Sequence, residues 1–66
     1  MNIIINGETK EIPPDYTPAQ LVELLGLGGK RLAMEVNQEI VPRSTFQDYH
    51  FREGDRVEIV HAIGGG

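Results

Sequence analysis

Apolar and polar positions alternate with a period of two at both ends of the chain, and with a helical period in between. Met1, Ile3 and Ile5 fall on one side of an extended segment and Asn2, Ile4 and Asn6 on the other, which predicts a strand over residues 1–6. Asn6-Gly7 supplies residues that tolerate positive φ at both central positions of a tight hairpin turn. A second strand, Glu8 to Ile12, then returns antiparallel and stops at Pro13-Pro14. Three helix-start signals follow together: Thr17 can cap, Pro18 suits the first helical position, and Gln20 can close a capping box. Leu21, Val22 and Leu25 share one helical face with Leu24 beside them, and Gly26 can end the helix in the left-handed conformation.

Leu32 to Val36 reads as a third strand, Asn37-Gln38 as a turn, and Glu39 to Val41 as a short fourth strand ended by Pro42. Residues 43–51 are irregular, with Phe46, Tyr49 and Phe51 available to seal one edge of the core. Glu53-Gly54-Asp55 turns into a last strand, Arg56 to His61, with Val57 and Ile59 inward. One helix on one face of a mixed sheet buries both apolar surfaces. The first and last strands are placed to be parallel neighbours, with the helix in the crossover between them. The expected fold is α+β, a ubiquitin-like β-grasp forming a single domain over residues 1–66, of which 62–66 is an extended, flexible tail.

Composition narrows the function. Six Lys+Arg against ten Asp+Glu give a net charge of −4, with six of the acidic residues in 34–66. Six scattered basic residues make no phosphate-tracking stripe, so nucleic acid is not an expected partner. No apolar run approaches the roughly 20 residues of a membrane span. The first residues carry neither a basic segment nor a long apolar stretch, so no signal peptide is expected and the cytoplasm is the expected location. The chain has no cysteine, hence no disulfide, thiolate nucleophile or Cys-based zinc site. A domain this short buries only about 60% of its unfolded surface, which leaves little to hold a strained catalytic cavity. The chain is not expected to be an enzyme in its own right.

The conventional constellations agree. His50 and His61 are too few for a histidine-based metal site, and no metal or bound cofactor is expected. Ser44, Asp48 and His50 contain the letters of a triad, but they sit among turn formers, where such residues ordinarily cap turns. Gly26 and Gly28-Gly29 lack the Gly-Lys-Ser/Thr of a phosphate loop.

What stands out is the last segment, His61-Ala62-Ile63-Gly64-Gly65-Gly66. One reading is a loose end without function. The other is a substrate. Residues without Cβ make the narrowest and most pliable extended chain, able to enter a tight channel. Gly66 would then present its carboxylate to another enzyme, with Gly65 and Gly64 as the thread. Ile63, and Val60 on the outward side of the last strand, would be apolar anchors for that partner.

These segments carry a family resemblance. Asn6-Gly7 after the first strand, Val36-Asn37-Gln38-Glu39-Ile40-Val41-Pro42-Arg43, Glu53-Gly54-Asp55 before Val57-Glu58-Ile59-Val60, and the terminal Gly-Gly resemble the ThiS family. Its members are the sulfur carriers of thiamine thiazole biosynthesis, within the ubiquitin-like superfamily. The resemblance implies that Gly66 is adenylated with ATP and Mg by a ubiquitin-activating-like adenylyltransferase. Sulfur from a cysteine desulfurase, or another persulfide donor, would then make a thiocarboxylate that thiazole synthase consumes. A sulfur carried as a persulfide or disulfide on a side chain would require a thiol; this chain has none, so its sulfur would ride on the backbone carboxylate. The tail has three glycines where the family pattern needs two. Alternatives of similar design are the small subunit of molybdopterin synthase and a modifier conjugated to target lysines through Gly66. A plain interaction domain with an inert tail is a further reading.

Overall fold

The five strands and one helix of the computed structural model, which describes residues 1–61, follow the sequence pattern closely. They are β1 (Asn2–Ile5), β2 (Glu8–Glu11), α1 (Pro18–Leu24), β3 (Leu32–Val36), β4 (Glu39–Val41) and β5 (Arg56–His61), with a single 3₁₀ turn over Arg43–Thr45. The expected tail, residues 62–66, lies outside the described residues.

The sheet has the order β2-β1-β5-β3-β4. β1 and β2 pair antiparallel from Asn2 opposite Glu11 to Ile5 opposite Glu8, across the Asn6-Gly7 turn. Both turn residues have the positive φ this hairpin requires, 48° and 86°. β5 lies in the centre, parallel to β1 and antiparallel to β3. The parallel pairing of the first and last strands, with α1 in the crossover, is the β-grasp arrangement read from the sequence.

Period-two alternation decides which side of each strand is buried. Ile3, Met34, Val36, Val41, Val57 and Ile59 leave the sheet on one face and meet Leu21 and Val22 of α1. Ile12, Phe46 and Phe51 close the edges of this core, and Tyr49 packs edge-to-face on Phe51 at 6.0 Å between ring centroids.

The helix begins as read: the Gln20 backbone N–H donates to Thr17 Oγ1 at 3.2 Å, and the Thr17 N–H donates to Gln20 Oε1 at 3.0 Å. It also ends at a left-handed Gly26, as read, but one residue expected on its buried face is not there. Leu25 is the C-cap of a seven-residue helix and is exposed rather than sharing the buried face of Leu21 and Val22. Gly26, at φ 74°, turns the chain so that its N–H bonds to Glu23 O and the Leu27 N–H bonds to Val22 O at 2.9 Å. This is a Schellman termination, in which the residue after the glycine folds back onto the helix. Leu27, not Leu25, therefore packs against the core.

Candidate functional site

Because β5 is the strand that leads into residues 62–66, its anchoring determines what the tail is attached to. Backbone pairing with β1 places Ile4 opposite Arg56 and Ile5 opposite Val57, where β1 ends. On the other side, β3 accompanies β5 to Leu32 opposite His61. Val57 and Ile59 point into the core at 1% and 6% exposure, and Val60 points outward at 70%. Of the five residues proposed from sequence, Val60 is thus placed, on the open face of the central strand; Ile63, Gly64, Gly65 and Gly66 lie outside the described residues.

Two asparagines hold β5, one at its first residue and one at Ile59. Asn6, left-handed in the hairpin turn, continues the β1 ladder with its side chain: Asn6 Oδ1 accepts from the Ile59 N–H at 2.9 Å, and Asn6 Nδ2 donates to Ile59 O at 3.2 Å. Asn37, left-handed at φ 52° in the turn between β3 and β4, does the same at the start. Its Oδ1 accepts from the Arg56 N–H at 3.0 Å, and its Nδ2 donates to Asp55 Oδ1 at 3.0 Å. The second oxygen of the buried Asp55 carboxylate accepts from the Arg52 N–H at 2.8 Å. Buried acceptors need such partners. The sequence marked both asparagines as turn formers; their second role spans 53 and 19 residues of chain and leaves no local signal.

The outward face of the sheet is mixed. Val60 stands opposite Ala33, and two residues back along β5 Glu58 stands opposite Glu35, which is itself opposite Ile40. Ile40 is 73% exposed. Arg43, which follows β4, donates from Nη1 to Lys30 O at 2.8 Å and from Nη2 to Gly28 O at 3.1 Å, tying the loop after α1 to the far edge of the sheet.

The other chemistry-bearing side chains do not converge. Ser44 lines a groove with Ala19, Val22 and Phe46, whereas His50 lies in a different one with Asp15, Asn37 and Tyr49. His50 Nδ1 sits 3.3 Å from Asp15 O, a backbone contact. Tyr49 lies beside it with its phenol pushed above the usual value by burial and by the negative charge of Asp55. Among the described residues no cluster of three His, Asp or Glu side chains could hold a metal, and no helix is long and apolar enough to cross a membrane.

A family model for the ThiS family matches residues 3–66. The chain belongs to the ThiS family. Its β-grasp superposes on the crystal structure of the thiamine biosynthesis protein ThiS from Geobacter metallireducens with a TM-score of 0.82, at 26% identity and over 100% of both chains. It is 29% identical to the sulfur carrier protein ThiS of Escherichia coli (strain K12), again over the full length of both. It is also 39% identical over all 66 residues to a stretch of a thiazole synthase from Paramagnetospirillum magneticum (strain ATCC 700264 / AMB-1). Of that protein, and of a second thiazole synthase that matches, this ThiS-family chain spans only 20% of the length.

Proposed function

We propose that this chain is a sulfur carrier, a protein co-substrate rather than a catalyst, for making the thiazole ring of thiamine. The observation that carries the reading is a family match running through the terminal glycines to residue 66. The absence of cysteine supports it, because the backbone carboxylate is then the group left to hold sulfur. Relatives named for thiazole synthase contain a stretch like this whole chain, which supports thiazole synthase as the acceptor and favours this reading over the molybdopterin one.

The chemistry follows from the carboxylate. As an anion it repels nucleophiles, so it is first activated. The Gly66 carboxylate attacks the α-phosphorus of Mg-bound ATP in an adenylyltransferase, pyrophosphate leaves, and a mixed anhydride with AMP forms. The terminal sulfur of a persulfide, supplied by a cysteine desulfurase or similar donor, displaces AMP. A thiol then cleaves the resulting acyl disulfide, leaving the thiocarboxylate on Gly66 and a disulfide on the donor side. Gly64 and Gly65 thread the enzyme channel, where any Cβ would widen the chain, while Ile63 and the exposed Val60 contact its mouth. The folded body is the handle that successive cytoplasmic partners recognise.

Intact-mass measurement tests this. Incubation with the adenylating enzyme, Mg-ATP and a persulfide donor is expected to raise the mass by the difference between one sulfur and one oxygen, localised to Gly66. An unchanged mass with an enzyme proven active on another carrier overturns the reading.

A further inference from the structure

The Asn6-Gly7 turn carries chemistry as well as shape. An asparagine side-chain amide can be attacked by the backbone nitrogen of the residue that follows it. Glycine in that place obstructs the attack least, because it has no Cβ. The chain has three asparagines, and only Asn6 is followed by glycine; Asn2 precedes Ile3 and Asn37 precedes Gln38. Asn6 and Gly7 are both exposed, so water reaches the pair. The folded chain also opposes the reaction. The nitrogen that would leave, Asn6 Nδ2, donates to Ile59 O at 3.2 Å, and Oδ1 of the same amide accepts from the Ile59 N–H at 2.9 Å. Ring closure makes the planar amide carbon tetrahedral and swings it toward Gly7, so this pair of bonds has to open first.

From this geometry we infer that Asn6 is a site of spontaneous deamidation, gated by its own clamp on β5, and that conversion loosens the strand leading into residues 62–66. Gly7 N, losing its proton, bonds to Asn6 Cγ; the Cγ–Nδ2 bond breaks, and ammonia leaves with that proton. Water then opens the cyclic imide. Attack at Cγ restores the ordinary main chain and leaves an aspartate, whereas attack at the main-chain carbonyl leaves an isoaspartate whose main chain runs through Cβ. Neither product retains the donor for Ile59 O. The aspartate carboxylate only accepts, so an oxygen faces the Ile59 carbonyl where a hydrogen bond had been. The isoaspartate also lengthens a two-residue turn whose φ values of 48° and 86° match the strands as they stand. The damage falls at Ile59, two residues before His61, the last described residue. The gate is a local opening: the hairpin turn and β5 part, and only then does Asn6 react.

The test follows the full-length chain at mildly alkaline pH, folded and in guanidinium chloride, by intact mass and peptide mapping. The mass should rise by the difference between an oxygen atom and an NH group, mapped to Asn6. In the unfolded chain Asn2 and Asn37 should convert far more slowly than Asn6. In the folded chain Asn6 should convert on the order of tenfold more slowly than in the unfolded one, the weight of two backbone hydrogen bonds. Asn6→Asp, which builds in the ordinary product, should unfold at a midpoint roughly 5 °C lower than the wild type and exchange its Ile59 amide proton faster. The inference is overturned if folded and unfolded chains convert Asn6 at the same rate, if the folded chain does not convert, or if Asn2 or Asn37 converts first. An Asn6→Asp chain as stable as the wild type, with Ile59 equally protected, overturns it too.

Discussion

The two faces of the sheet obey the same alternation and end in opposite states. On the inner face every strand of the β1-β5-β3-β4 run contributes a buried apolar side chain, sealed by Leu21 and Val22 of α1. On the outer face β5, β3 and β4 present Ile40 and Val60 to solvent beside Glu35 and Glu58. A sheet that only needed to fold would carry a plainly polar outer face, as half-solvated antiparallel sheets commonly do. The difference separates the side chains that hold the fold together from those left in contact with solvent.

Substitutions on either face can break that separation. The largest effect is expected from Leu21→Ala, which empties the centre of the inner face; fully buried leucines cost about 2–5 kcal/mol on truncation, measurable by urea unfolding. Asn37→Ala should come next. It removes the partner of the Arg56 N–H and one donor to the buried Asp55 carboxylate, a loss of about 1–3 kcal/mol. Val60→Ser, on the outer face, should move stability by less than about 0.5 kcal/mol while raising the carrier concentration needed for half-maximal adenylation. A Val60→Ser chain destabilised as severely as Leu21→Ala would erase the distinction between the faces. The smallest effect is at high pH. The Tyr49 phenol titrates above its ordinary value of 10.0 in the folded chain, so the folded state holds that proton more tightly than the unfolded one. Its contribution is complete below pH 10 and is lost as pH rises through the folded value. Tyr49→Phe should therefore flatten part of the alkaline decline in stability, read as unfolding midpoints from pH 9 upward on the wild type and the variant.

Local chemistry was the legible part of the fold. The Asn6-Gly7 turn, the Thr17–Gln20 capping box and the inward pair Val57 and Ile59 all follow from residues a few positions apart, and all are present. The stop at Gly26 was legible as well, but Leu25 was misplaced because helical periodicity does not carry through a cap: Leu25 is the C-cap, and the Schellman turn at Gly26 hands the core position to Leu27. The bonds from Asn6 to Ile59 and from Asn37 to Arg56 depend on which strands become neighbours, and turn propensity carries no trace of that. The site divides in the same way. The glycines and Val60 are proposed from composition and position, and of these the described residues include Val60 alone, whereas the Glu35–Glu58 opposition exists only in the register of β3 against β5.

The position of β5 also has a mechanical meaning. Any enzyme that draws on the chain beyond His61 pulls along the axis of a strand gripped on both flanks, by β1 and Asn6 on one side and by β3 on the other. Ladder bonds run across the strand direction, so such a pull loads them together in shear instead of peeling them apart one by one. An edge strand in the same role would unzip from its free side. With β5 at the centre of its sheet, the described fold is built to resist such a pull.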